Sequence, residues 1–282
     1  MLKLTEATIE NISDRLVDYI KSQGKLLPKT PKAGGGSNKN EITKNKRHEY
    51  WLGFISRVIK NEKNLKKLMV KYFKEQEVKA LKALGGSKAV NKDVNKAVNV
   101  PKSKEELTKL ASIAIPAITR VIALEGKEIL AELGVNISFD LLNPKVVEFI
   151  ETRSFDLIKS ISNTTKEALR RTLKEGVELG ESIPKLAKRI ASVYDDAQGY
   201  RSVLIARTEN ISASNNGALN AYRQSKVVEK KKWLTAGDDR VRPEHEAIDG
   251  ETVLLEEPFS NGLMVPSEPN CRCCISPLLF KE

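Results

Sequence analysis

Trp233, Asp239-Arg240-Val241-Arg242-Pro243-Glu244-His245, Asp249-Gly250 and Asn270-Cys271-Arg272-Cys273-Cys274 all stand in the last fifty residues of a 282-residue chain. This short segment holds all three cysteines, one of the two histidines and one of the two tryptophans. Residue types scarce elsewhere are gathered here, so any chemistry is expected here. The surrounding pattern is one of short strands. Val227 to Leu234, Thr252 to Leu255 and Ile275 to Phe280 each suit a strand, with Gly and Pro punctuating between them. From Lys226 onward the chain reads as a small α+β unit.

Upstream the apolar period changes to three and four. Residues 196–225 read as one helix containing Arg207, Glu209 and Asn216, which are costly to bury unless paired. That helix either braces the C-terminal unit with its polar face or lines a site. Before it, Gly180-Glu181-Ser182-Ile183-Pro184 breaks one helix and starts the next, whose inward residues are Leu186, Ile190 and Val193. Residues 164–179 form a further helical stretch. Asn143-Pro144 opens a separate helix, with proline at its first position. Ser103-Lys104-Glu105-Glu106 is a capping box, opening a helix that runs to about Leu133 and stops at Gly134. Pro116 inside that helix predicts a kink, because its ring removes a hydrogen bond and crowds the preceding turn.

The first third differs in charge. Residues 1–104 hold 24 Lys+Arg and 10 Asp+Glu, a net of +14, whereas the remainder holds 24 and 27, a net of −3. A helix at 2–22 is followed by a Pro/Gly/Ser linker at 28–40. Residues 41–84 read as a long helix of about 60 Å, with Tyr50, Trp51, Phe54, Val58, Leu65, Met69 and Phe73 on its apolar side. Residues 87–102 read as loosely structured or as a poor helix. Lys60, Lys63, Lys66, Lys67, Lys71 and Lys74, then Lys88, Lys92 and Lys96, could track a phosphate backbone; without a groove-reading motif such binding would ignore sequence. The simpler reading of the same lysines is a solvated helix face.

Five organisational segments follow: a helix (1–27), a linker (28–40), a basic helical arm (41–102), a helical body (103–225) and the α+β module (226–282). The fold class is mainly α with that small module. Aromatics are only 5% of the chain, which also favours helices built on Leu, Ile, Val and Ala. The N-terminus lacks an apolar core of signal-peptide length, and the longest mostly apolar run, Ala111 to Ile118, is short of a membrane span. The expectation is a protein made in the cytosol without membrane contact.

The cysteines are too close together to staple distant segments by disulfides. His245 precedes Cys271 by 26 residues. Closing such a loop costs about 3 kcal/mol, and a structural zinc contributes about 10 kcal/mol or more, so a metal staple is feasible for so small a unit. Candidate ligands are His245, Cys271 and Cys273, with Cys274, Asp239 or water as a fourth. Adjacent cysteines rarely converge on one ion. The alternatives are buried inert thiols beside a hydrogen-bonded imidazole, and a cysteine–histidine catalytic pair.

The residues now assembled resemble a known family. From about Gly180 to the end the sequence is similar to the phage Mu protein F-like, or minor head (head morphogenesis), proteins of tailed bacteriophages and prophages. The resemblance is carried by Ala206-Arg207-Thr208-Glu209, Asn216-Gly217, Ala221-Tyr222, Lys232-Trp233, Asp239 to Arg242 and His245, Asp249-Gly250, Pro258-Phe259 and Asn270-Cys271-Arg272-Cys273. Cys274 lies outside the pattern, and the basic first third is not covered. The resemblance implies a virion component of few copies in the capsid interior, assembled in the host cytoplasm. Its partners would be the portal, scaffold and major capsid proteins, and in some relatives packaged double-stranded DNA. It implies no established catalytic activity. The rival from another class is a zinc-dependent nuclease or hydrolase built on His245, Cys271 and Cys273. A host regulatory DNA-binding protein would need a groove-reading module that the sequence does not show.

Overall fold

The computed structural model describes residues 44–85 and 93–280. The helix expected at 2–22, the linker at 28–40, and Lys88 and Lys92 lie outside the described residues. Within them the protein is mainly α with a small C-terminal α+β module. Its helices are α1 (Lys44–Ala83), α2 (Val94–Asn99), α3 (Lys104–Glu132), α4 (Pro144–Glu178), α5 (Ile183–Asp196), α6 (Ser202–Ser225) and the short α7 (Pro243–Glu246). Three strands follow α6: β1 (Val228–Leu234), β2 (Thr252–Leu254) and β3 (Cys274–Leu279). They form one antiparallel sheet in the order β2-β1-β3.

Local chemistry explains most of the boundaries. Ser103 Oγ accepts from the Glu106 backbone N–H at 3.3 Å and opens α3, as the capping box requires. Gly134 at φ +68° and Gly180 at φ +67° close α3 and α4 in the left-handed region that glycine tolerates best. α3 continues through Pro116 as one helix. Residues 94–102, read as a poor helix, form α2 and one 3₁₀ turn, Val100–Lys102; Asp93 accepts from the Lys96 backbone N–H at the start.

Two expected breaks are absent. α4 runs unbroken from Pro144 to Glu178, where two helices were expected. The run Ser162-Asn163-Thr164-Thr165 favours a break by composition. Its cost is met because Thr165 Oγ1 donates back to Ile161 O at 2.9 Å, and because Ile161, Leu169 and Leu173 keep the apolar stripe buried. Likewise α5 and α6 are joined by a five-residue π segment, Ala197–Arg201. There Ser202 Oγ donates to Ala197 O, five residues back, at 2.7 Å.

The described residues group into two compact units. Of these residues, one unit takes in 44–62, Ala117–Glu151 and 207–280; the other takes in those of Lys63–Pro116 with Thr152–Ala206. The first contains the sheet. Its core sets Phe54 and Val58 of α1 against Ile211 of α6, Leu234 of β1 and Cys274 of β3, with Tyr50, Trp51 and Ile55 packed alongside. Tyr50 and Tyr222 share a hydroxyl–hydroxyl bond at 2.9 Å, and Trp51 Nε1 donates to Arg272 O at 2.8 Å. Arg57 grips buried Glu125 of α3 at 2.7 Å and Glu132 at 3.1 Å. α6 approaches α3 closely at Gly217, where a Cβ would stand 2.9 Å from Ile122 O; only glycine fits that contact without a shift.

The other unit encloses a polar knot. Gln76 Nε2 donates to Tyr72 Oη and to Glu106 Oε2, while Tyr194 Oη donates to Gln76 Oε1. Lys79 Nζ reaches Glu106 at 2.6 Å. Within this knot Tyr72, Gln76, Glu106 and Tyr194 are all hydrogen-bonded to one another or to Lys79, which is the condition for enclosing them at all.

Among the described residues, the stretch Val94–Glu132 is long and apolar enough to cross a membrane by length and composition alone. Half of its apolar window is buried inside the protein, and the helix carries buried Glu106 and Glu125. A core helix has the same character.

Candidate metal centre

β1 leaves the sheet at Leu234, and a turn through Gly237 (φ +68°) leads to α7. Arg242 caps α7 in extended backbone, Pro243 takes its first turn, and His245 is thereby aimed inward at 2% exposure. The chain returns through β2 and a long loop to Asn270, a non-glycine residue at φ +59°. Asparagine is among the few side chains that tolerate this conformation. It is held there from α6: Thr208 Oγ1 accepts from the Asn270 backbone N–H at 3.0 Å, and Arg207 Nη1 donates to Asn270 Oδ1 at 2.8 Å. The turn presents Cys271 and Cys273 to one side.

His245 Nδ1 lies 3.6 Å from Cys271 Sγ and 3.6 Å from Cys273 Sγ. All three ligand atoms fall within 4.8 Å of one another, and all three residues are buried. On the ring's far side His245 Nε2 meets Glu268 Oε2 at 2.5 Å. An ionised carboxylate only accepts, so this contact puts the ring proton on Nε2 and turns the Nδ1 lone pair toward the sulfurs. The Trp233 indole stands edge-on to the imidazole at 5.2 Å and to Phe259 at 5.1 Å. Among the described residues its buried Nε1 has no hydrogen-bond partner.

The two thiols differ sharply. A hydrogen bond from the Cys273 thiol and the Cys273 backbone N–H at 3.3 Å outweigh burial and lower the Cys271 thiol. The same pairing, reinforced by burial, pushes the Cys273 thiol far up. Cys274 begins β3 and points the other way, into the apolar core, where burial raises its thiol. It is not among the converging side chains. Asp239 is exposed and is also outside the cluster, so neither supplies a fourth ligand here.

The other residues singled out from the sequence stand as ties around this centre. Arg207 also reaches Glu62 at 3.3 Å. Arg242 Nη2 donates to Pro269 O, and Nη1 lies 3.5 Å from Glu268 Oε2. Asp249 accepts from the Thr235 backbone N–H at 2.9 Å and pairs with Arg47 at 2.7 Å. Gly250, at φ +89°, donates its N–H to Trp233 O. Glu209 is buried on α6. Asn216 is half-buried, and its side chain donates to Ser212 O within its own helix.

Three further residues were not singled out as site residues. Asn215, fully buried, donates through Nδ2 to Ile211 O, Pro266 O and Cys273 O, each at 3.1 Å, and accepts from the Ile275 N–H at 3.0 Å. Glu268 orients the imidazole. Asp238 clamps Arg272 with two bonds of 2.6 Å, which holds its carboxyl well below the usual range. Only the Asn215-Asn216 pair carried a signal, and it did not say which asparagine faces inward.

Of the candidate phosphate contacts, Lys60, Lys63, Lys66, Lys67, Lys71 and Lys74 are exposed on α1, and Lys96 is exposed on α2 and paired with Asp93 at 2.7 Å.

Residues 167–276 match the family described as Phage Mu protein F like protein. The chain is 26% identical over 167 residues to YqbB, an uncharacterized protein of Bacillus subtilis, covering 54% of each. It is 27% identical over 153 residues to an uncharacterized protein of Haemophilus influenzae, covering 52% of this chain and 34% of that one. It is 26% identical over 141 residues to an uncharacterized protein of Methanocaldococcus jannaschii, covering 50% and 22%. The chain thus spans about half, or less, of the length of these relatives. No solved structure gives a match.

Proposed function

We propose that this chain is a phage minor head protein acting in head morphogenesis, carried in the capsid interior after assembly in the host cytoplasm. Portal, scaffold and major capsid proteins are its proposed partners. The observation that carries the reading is the Phage Mu protein F-like match over 167–276, which takes in α6, β1, β2, the cysteine turn and the start of β3. The use of the motif residues supports an assembly role over an enzymatic one. Arg207, Arg242, Asp249 and Asn270 are engaged in ties between elements of the protein itself. Such residues build a rigid docking module rather than a substrate pocket. The test is the protein content of purified particles from a phage or prophage encoding the chain. Its presence in few copies per particle is expected, and particles lacking it would overturn the reading.

Contact with packaged DNA is part of the same proposal. On α1, Lys60, Lys63, Lys67, Lys71 and Lys74 fall within an arc of about 80° over about 21 Å, at 3.6 residues per turn and 1.5 Å per residue. All five are exposed, and among the described residues none of them is in an ion pair. Five phosphate contacts correspond to a log–log slope of affinity against salt of about −4.5. The full-length protein is expected to bind duplex DNA without sequence preference and with a slope near that value. Replacing Lys67 and Lys71 by glutamine should reduce the slope by about 2. A flat salt dependence in a titration followed by fluorescence anisotropy would remove DNA from the function.

A further inference from the structure

We propose that His245 Nδ1, Cys271 Sγ and Cys273 Sγ together bind one zinc ion, with Glu268 fixing the imidazole and the fourth position left to water. The inference is independent of the head-protein reading, and either can fail alone.

The distances are those that zinc imposes. Tetrahedral coordination with Zn–S of about 2.3 Å and Zn–N of about 2.0 Å places sulfur and nitrogen ligands about 3.5 Å apart. Both observed separations are 3.6 Å. Hydrogen bonding alone accounts poorly for the same geometry. With its proton on Nε2, the imidazole offers one lone pair at Nδ1, which suits one S–H donor and not two. Two sulfurs equidistant from one lone pair share a centre more naturally than they share an acceptor.

The surroundings complete the pattern. A carboxylate on the far nitrogen of a metal-bound imidazole sets its tautomer and raises its basicity, and Glu268 stands there at 2.5 Å. The Cys273 backbone N–H points at Cys271 Sγ. Among the described residues the buried Trp233 Nε1 has no hydrogen-bond partner, and a metal thiolate at Cys273 would give that N–H a charged acceptor. Two thiolates and a neutral imidazole cancel the charge of a divalent ion, so the loaded centre is neutral and tolerates burial. Soft sulfur donors select zinc over magnesium or calcium. A cavity of about 130 Å³, lined by the three ligands with Arg240, Arg242 and Arg272, gives the fourth position room for water.

The ion would fix the Cys271 turn to α7 and so close the loop between them. A chelating pair separated by one residue is tighter than the two- to four-residue spacing of most zinc sites. The strand beginning at Cys274 explains how it is achieved, since alternation sends Cys274 to the opposite side.

The test uses the full-length protein without an affinity tag, stripped of metal and titrated with zinc alone. About one zinc per chain is expected, and cobalt in its place should show the sulfur charge-transfer and tetrahedral visible bands of a two-thiolate site. Cys271→Ser and Cys273→Ser should each lose the bound zinc. Cys274→Ala should keep it. Glu268→Gln should keep the fold and bind zinc 10- to 100-fold more weakly. Should the serine variants not fold, the wild-type stoichiometry and the cobalt spectrum decide. Zinc well below one per chain after titration, a Cys271–Cys273 disulfide in the freshly purified protein, or loss of zinc in Cys274→Ala would each overturn the assignment.

Discussion

Replacing Asn215 by leucine is expected to destabilise the protein by about 3–5 kcal/mol, lowering its melting temperature by on the order of 10 °C. The reason is the number of groups that depend on one amide. Asn215 holds Pro266 O, Cys273 O and the Ile275 N–H from within α6, all of them buried. A leucine fills similar space but leaves those three backbone groups without partners, at about 1–3 kcal/mol each before relaxation. Aspartate is expected to be no better: it can still accept from Ile275 but directs negative charge at two carbonyl oxygens. The adjacent residue is the control. Asn216→Ala removes only a bond within α6 and should cost about 1 kcal/mol or less. Urea unfolding of the two variants side by side checks the contrast. Equal effects would mean that the α6-to-turn ties are not what holds the module.

The second large effect is at Arg57. Its guanidinium makes paired bonds with Glu125, whose side chain is 3% exposed, and a further bond with Glu132. Arg57→Met strands a buried carboxylate, for which about 3–5 kcal/mol at neutral pH is expected. The pH dependence has a definite sign. Burial raises Glu125 above the ordinary carboxylate range even with Arg57 bound, and removing the cation raises it further. The native variant then holds a proton that the unfolded chain releases, so its stability falls as pH rises through the unfolded pKa and on to the native one. The deficit relative to wild type should therefore be largest at about pH 7–8 and shrink toward about pH 4–5. Arg57→Met with Glu125→Gln should recover most of the loss, because no charge remains to be buried. Unfolding curves at the two pH values for single and double variants test this. A deficit independent of pH would show that Arg57 acts through packing of its stem alone.

Much of the architecture was legible because it is local. The capping box at Ser103, the glycine stops at 134 and 180, and the three strands after residue 226 each follow from residues within a few positions of one another. The unbroken α4 was not legible. Ser162 to Thr165 argue for a break by composition, and the hydrogen bond that repairs it depends on the helix already being there. The junction of α5 and α6 was hidden as well: the extra residue of a π turn rotates the apolar stripe, which in sequence reads as one helix ending and another beginning.

The candidate centre divides along the same line. His245, Cys271 and Cys273 stood out by scarcity, and Cys274 separates from them by strand alternation. Glu268 and Asp238 are ordinary acidic residues in loops, and nothing near them in the sequence says what they face. Asn215 and Asn216 are neighbours of one type on one helix. Which of them turns inward is decided by the rotation of α6 against a sheet that comes later in the chain.

The bond from Trp51 Nε1 to Arg272 O joins residues 221 positions apart. On a ribosome adding about 5–20 residues per second, the tryptophan emerges on the order of 10–40 s before its acceptor exists. Through that interval Tyr50, Trp51 and Phe54 have no sheet to cover them. The first unit can close only after β3 has been made, so the apolar side of α1 must wait for a partner synthesised long after it.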